Sequence, residues 1–247
     1  MQVVPHSSTV IEGSVMVTCV EHLEWQVVNK IDHTREVINL ISQKTDRVIL
    51  FYSGGKDSIM LLNQVAPKFK EVVLVFMYLV PNLRHVDIYL KDALNRYSNV
   101  KLIQKPHWIL TYIRKSGNYC IADPKVKLKK LKDVDDEVRE ETGIEYSIFG
   151  MKKADSLNRR LMLQGYDIEA INEKTNRVYP LSLWTNKEVL RFIRDNNLPN
   201  PIAYNNKASS GVMLEKDCFE YLQKNYPDDL EKIYDAFPMS RVILFGK

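Results

Sequence analysis

The chain has 247 residues, 45% of them hydrophobic, with 35 basic and 31 acidic side chains and a formal net charge of +4. This fits one globular domain with appendages and a sizeable core, and leaves room for an anionic ligand, but the net charge alone makes no case for nucleic acid. Cys19, Cys120 and Cys218 lie far apart with no Cys-x-x-Cys, which argues against a zinc ribbon, an iron–sulfur cluster or a disulfide framework and fits a reducing cytoplasm. No apolar stretch reaches membrane length, and the first residues lack the basic-then-apolar pattern of a secretory signal.

Residues 1–26 read as an N-terminal arm, mixed polar and β-branched, with Pro5 and Gly13. Val28, Ile31, Val37, Ile38 and Ile41 recur at helical spacing and predict one or two helices over Val27–Lys44. Val48–Phe51 is an unbroken apolar run before a glycine pair, the pattern of a fully buried parallel strand. A buried helix follows from about Asp57 to Ala66, ended by Pro67. A second strand is expected over Val72–Val80, an amphipathic helix on Val86, Leu90, Ala93, Leu94 and Tyr97, and a third strand over Lys101–Lys105. This alternation predicts an α/β fold with a doubly wound, mostly parallel sheet and helices on both faces. Ligands in such sheets lie beyond the carboxyl ends of the strands.

A short helix is expected over His107–Lys115 and a loop over Ser116–Pro124. Lys125–Thr142 reads as one helix whose first half carries Lys125, Lys127, Lys129, Lys130 and Lys132, and whose second half is acidic. That order opposes the helix macrodipole. The favoured reading is a solvated helix laced by local charge pairs, and the alternative is a basic lid or nucleic-acid contact. A fourth strand at Tyr146–Phe149 leads to a helix capped near Asp155 or Ser156. Ala170–Tyr179 reads as a hairpin turning at Glu173–Asn176, and Thr185 with Glu188 as a capping box. Trp184 is expected to pack in the core. Asn205–Leu214 reads as a loop, Glu215–Asn225 and Asp228–Ala236 as helices, and Arg241–Phe245 as a last strand. The organisation is therefore an α/β domain over 27–201 and a helical extension over 202–247 packed on it.

Two strand–glycine–helix junctions carry chemistry. In the first, Ser53-Gly54-Gly55-Lys56-Asp57-Ser58 lies between a buried strand and a buried helix, which aims backbone N–H groups and a helix N-terminus at an anion. The glycines allow close approach of phosphate, Lys56 adds charge, and Ser53 and Ser58 add hydroxyl donors. Asp57 repels phosphate unless a cation intervenes, which suggests Mg²⁺. In the second, Gly150-Met151-Lys152-Lys153-Ala154-Asp155-Ser156-Leu157-Asn158-Arg159-Arg160 brings four positive side chains to another such junction.

The first junction resembles the SGGKDS signature of the PP-loop family, the adenine-nucleotide alpha hydrolases. It is most similar to the branch holding phosphoadenosine-phosphosulfate (PAPS) reductases and the small subunit of ATP sulfurylase. The second resembles that branch's G-x-R-x-x-[DE]-S-x-x-R element, with Gly150, Lys152, Asp155, Ser156 and Arg159 on its positions and Lys152 in place of the usual arginine. An ammonium still pairs with phosphate or sulfate but loses the bidentate fork. Pro180-Leu181 with Trp184-Thr185, then Leu198-Pro199 and Pro201, resembles the same branch more weakly. The resemblance spans roughly Arg47–Pro201.

It implies an adenine nucleotide, ATP or PAPS or its 3′-unphosphorylated analogue (APS), with Mg²⁺. In adenylating members pyrophosphate leaves. Gly54, Gly55 and Lys56 would then stabilise it, Asp57 would help hold Mg²⁺, and Lys152, Arg159 and Arg160 would neutralise the acceptor or distal phosphates, with Lys153 beside them. The Glu-Cys-Gly-x-His tail of true reductases is absent. This favours ATP-dependent adenylyl transfer over a reductase-like enzyme served by a thiol-donor partner or second subunit, and the intact Lys56 and Asp57 favour both over a non-catalytic nucleotide-binding protein.

Overall fold

The computed structural model describes residues 30–204, 207–208 and 214–245. The expected N-terminal arm and most of the Asn205–Leu214 loop lie outside these residues. The chain enters through a helix over 30–42 (α1) and then alternates: β1 (Arg47–Phe51), α2 (Lys56–Val65), β2 (Glu71–Tyr78), α3 (Arg84–Arg96), β3 (Val100–Pro106), α4 (Ile109–Ser116), α5 (Leu131–Thr142), β4 (Ser147–Ile148) and α6 (Leu157–Gln164). The hairpin of β5 (Ile171–Asn172) and β6 (Arg177–Val178) follows, then α7 (Asn186–Asp195) and a small antiparallel pair of β7 (Ala203–Tyr204) and β8 (Lys207–Ala208). Helices α8 (Lys216–Asn225), α9 (Pro227–Ala236) and α10 (Val242–Phe245) end the described chain.

The six-stranded sheet has the order β3-β2-β1-β4-β6-β5, parallel except for the final β6–β5 pair. The chain steps from β1 to β2 and β3 on one side, then crosses back to place β4 on the other. β1 and β4 thus flank the topological switch point, where such sheets open a crevice at their carboxyl ends.

Burial explains the unbroken apolar strands. Successive side chains alternate between faces. Val48 and Leu50 of β1 join a core with α1, α2, α3, α7, α8 and α9, while Ile49 and Phe51 join a second core with Val134 and Val138 of α5 and Leu163 of α6. Covered on both faces, β1 has no use for a polar side chain between Val48 and Phe51. On the second face, Phe51 stacks on Phe149 with ring centroids 4.5 Å apart, tying β1 to β4 just below the switch point.

Two sequence expectations change. The helix expected over Lys125–Thr142 begins only at Leu131. Residues 126–130 are irregular, and the Asp133 carboxylate accepts the Lys130 N–H at 2.7 Å, making Lys130 the N-cap. The adverse charge order is thereby resolved: the lysines before Leu131 stay outside the helix, and an acidic residue occupies its first turn. The last strand expected at Arg241–Phe245 is instead a 3₁₀ turn, Pro238–Arg241, running into α10, which lies on α8 rather than at a sheet edge. Four apolar residues carry no period that separates strand from helix.

The C-terminal helices are welded to the sheet domain. Asp229 of α9 caps α3, accepting the Arg84 and His85 N–H groups at 2.9 Å each. His85 Nδ1 lies 2.8 Å from Asp229 Oδ2, and its Nε2 lies 3.1 Å from the Tyr204 hydroxyl. All three side chains are buried.

Candidate nucleotide site

The first junction is wired from within. Gly54 sits at φ +70°, a left-handed conformation that costs other residues about 1–2 kcal/mol, and a Cβ there would lie 3.1 Å from Ile202 Cδ1. Ser58 Oγ donates to Gly55 O at 2.9 Å and accepts the Ser53 N–H at 3.2 Å, while Ser53 Oγ accepts the Gly55 N–H at 3.3 Å. The two serines therefore shape the loop, and Ser58, being buried, presents no free donor to a ligand. Gly55 is the N-cap of α2 and supplies no capping side chain, so the first-turn N–H groups are left to an outside acceptor.

The second junction closes directly onto the first. A Cβ on Gly150 would stand 3.1 Å from Asp57 Cβ, so only glycine lets the two loops meet at this distance. Lys152 is fully buried, its Nζ 2.8 Å from Asp57 Oδ2 and 3.0 Å from Asp155 Oδ1. These contacts are close ionic approaches rather than well-directed hydrogen bonds, and Asp57 Oδ1 is buried with no hydrogen-bond partner among the described residues. Lys56 Nζ also reaches Asp57 Oδ2, at 3.0 Å. Asp155 Oδ2 accepts the Lys152 N–H at 2.9 Å and Arg159 Nη1 at 2.6 Å. Burial works against the Asp155 charge, but the N–H and ammonium of Lys152, with Arg159, hold its carboxyl below the usual range. Ser156 caps α6 by accepting the Arg159 N–H at 3.2 Å.

The structure thus brings Ser53, Gly54, Gly55, Lys56, Asp57 and Ser58 together with Gly150, Lys152, Asp155 and Arg159. Lys153 turns away to pair with Glu169, and Arg160 stays exposed on α6 with no carboxylate partner among the described residues. Lys152 lies beneath the loop as the counter-ion of Asp57.

Beside Ser53 a cavity of about 400 Å³ opens across the ends of β1, β2 and β3. Tyr52, Met77, Leu79, Asp87, His107 and Tyr119 are among its walls. None of these was singled out from sequence. The usable signal was the rule that ligands lie past the strand ends, applied to β2 and β3 as well as β1. β2 outruns β1: its pairing with β1 stops at Phe51↔Val75, while its pairing with β3 continues to Tyr78↔Pro106. Val75 O accepts from Tyr52 N, and Tyr78 O accepts from His107 N, so alternation turns the peptide groups of Met77 toward the side vacated by β1. Burial keeps the His107 pKa below its ordinary value.

Mg²⁺ is expected because Asp57 repels phosphate unless a cation supplies a counter-charge. Two ammonium groups supply it, and the described residues contain no group of three His, Cys, Asp or Glu side chains placed to hold a metal. No helix among the described residues is long and apolar enough to cross a membrane.

A doubly wound sheet with a glycine-rich phosphate loop at its switch point defines a nucleotide-binding α/β protein of the PP-loop kind. The sequence profile of the phosphoadenosine phosphosulfate reductase domain matches residues 47–210, well over half of the chain, and the chain belongs to that family. No curated protein sequence matches it.

Proposed function

We propose that this protein binds ATP at the switch point and transfers the adenylyl group to an oxyanion acceptor, releasing pyrophosphate. The observation that carries the reading is the uncapped α2 N-terminus with Lys56, set directly beside a cavity of about 400 Å³, a size suited to a nucleoside. The adenosine occupies the cavity, where the peptide groups of Met77 read the base edge. The phosphates rest on the first turn of α2 and on Lys56. A lone pair of the acceptor oxygen attacks the α-phosphorus, the bond to the bridging oxygen breaks, and its electron pair leaves with pyrophosphate. Lys56 neutralises the leaving group, an electrostatic contribution of the kind that dominates such transfers. Lys152 holds Asp57, and through it the loop, in position.

A second reading, a reductase-like enzyme for a sulfonucleotide, has the family match in its favour. Cys218 is buried, and Cys120, next to cavity-lining Tyr119, is half-buried.

Calorimetric titration with ATP, APS and PAPS, and a pyrophosphate-release assay, test both. ATP should bind with the highest affinity, and Lys56→Ala should weaken it at least tenfold while its unfolding midpoint stays within experimental error. Preference for APS or PAPS, with loss of activity on thiol alkylation, overturns the first reading in favour of the second. Binding of none of the three overturns both.

A further inference from the structure

Between His107 and Lys130 the only acidic residue is Asp123, and its carboxylate is occupied by the Lys125 N–H at 3.0 Å. The same stretch carries Arg114, Lys115, Lys125, Lys127, Lys129 and Lys130, all exposed. Lys129 pairs with Glu137, and the Asp133 carboxylate meets the Lys130 N–H. The side chains of Arg114, Lys115, Lys125, Lys127 and Lys130 have no carboxylate partner among the described residues. Elsewhere in the fold, many surface cations are paired, Lys30 with Glu188 and Lys105 with Glu141 among them. This concentration of unpaired charge is therefore local.

Residues 126–130 are not helical, Lys130 is extended at φ −116° and ψ 167°, and the Lys129 N–H is held by Thr111 Oγ1 at 3.0 Å, which lays the segment along α4. Val126 is half-buried and donates its N–H to Asp123 O at 3.2 Å, which places Lys125 in a turn and Lys127 just after it, both exposed. Aromatic surface adjoins it. Tyr112 of α4 is exposed and braced edge-on by Trp108, centroids 5.8 Å apart. Ile121 and Leu128 add exposed apolar area. Ile109, Ile113 and Tyr119, from α4 and the turn after it, also line the cavity.

A row of unpaired cations beside an aromatic platform is the physical recipe for binding a single-stranded nucleic acid: the charges follow the phosphates and the ring takes a base face. We propose that α4 and residues 117–130 form a docking surface for single-stranded nucleic acid, whose bound strand passes the mouth of the cavity. Cations strung along one segment that lies on α4 favour this partner over a membrane surface, and the exposed ring favours it over an acidic peptide.

Fluorescence anisotropy with a fluorescein-labelled oligothymidylate and oligouridylate across a KCl series tests it. Binding is expected at about 50 mM salt, weakening linearly on a log–log scale. Combined Lys125→Glu, Lys127→Glu and Lys130→Glu should lower affinity at least tenfold and flatten the slope by about 2, at about 0.7 per lost phosphate contact. Lys127→Gln alone, a milder change, should flatten it by about 0.7. Tyr112→Ala should lower affinity without changing the slope. Absence of binding, equal binding by the wild type and the charge variants, or stronger binding to phosphatidylserine vesicles or polyglutamate in competition would overturn the proposal. Oligonucleotide binding is measured without ATP. Its failure beside intact ATP binding removes this surface alone, and the reverse removes the nucleotide reading alone.

Discussion

Two buried ionic clusters lie on either side of the β4 strand, and they are built to opposite standards. Below the sheet, Asp135 of α5 is fully buried and well satisfied: Arg139 Nε at 3.1 Å and Ser147 Oγ meet one oxygen, and Arg177 Nε at 2.8 Å meets the other. Arg139 spends its remaining donors on the carbonyls of Thr175 and Asn176. At the switch point, Lys152 is equally buried but lacks a well-directed hydrogen bond, and Asp57 leaves one oxygen without a partner. Buried polar groups are normally satisfied because the desolvation cost is otherwise unrecovered. The first cluster stabilises the fold by fixing α5 to the hairpin and β4. The second is left incomplete where a ligand is expected, which is where local stability is given up for function.

The largest effect on stability should come from Asp135→Ala. It strands two guanidinium groups that are mostly buried, and the unfolding free energy in urea should fall by about 3 kcal/mol. A loss under about 1 kcal/mol would end the contrast. Next is the weld between α9 and α3. Asp229→Ala removes the cap from two N–H groups and should cost about 2 kcal/mol.

The weld also sets a pH dependence. Burial lowers the His85 pKa below its ordinary 6.5, despite the favourable effect of Asp229. For Asp229, burial acts to raise the pKa, but the N–H groups of His85 and Arg84 and the His85 ring lower it below 3.8 overall. Both folded-state values are depressed, so both contributions are complete above the unfolded values and are lost as pH falls. The urea midpoint should decline from pH 7 to pH 5 as the His85 contribution drains away, and His85→Gln should flatten that part of the curve.

Lys152→Gln should cost only about 1–2 kcal/mol of stability, since the cluster it leaves was incompletely satisfied. It should nonetheless weaken ATP binding at least tenfold by freeing Asp57. A variant as damaging to stability as Asp135→Ala would make the two clusters alike. The smallest change is Gly150→Ala, whose methyl presses on Asp57. About 1 kcal/mol of stability should be lost, with a few-fold loss of ATP affinity in the same titration.

The parts of this molecule legible in its sequence are those encoded by neighbours. The buried run before Gly54, the Ser156 cap and the Thr185–Glu188 box each need only a few consecutive residues, and the structure has all three. Trp184 is buried, as its size suggested. The illegible parts depend on strand order. One is the pairing of Lys152 with Asp57: nothing local reveals that β4 lies beside β1 and puts the two within 2.8 Å. The cavity walls were missed because they come from the ends of three strands and from α3 and α4, each contributing residues with no motif of their own. The lysine run was drawn into a helix because the cap that excludes it, Asp133 accepting from Lys130, differs from the Ser/Thr box that patterns reveal.

The cap that Asp229 places on α3 has a consequence for how the protein is made. α3 carries Val86 and Asp87 of the cavity wall, and Leu214 and Glu215, just before α8, line it too. Both glycine junctions are in place once α6 has been synthesised, but the cap on α3 comes only with α9. A nascent chain halted before Asp229 would carry every residue of the cavity wall but leave α3 without the cap that fixes it.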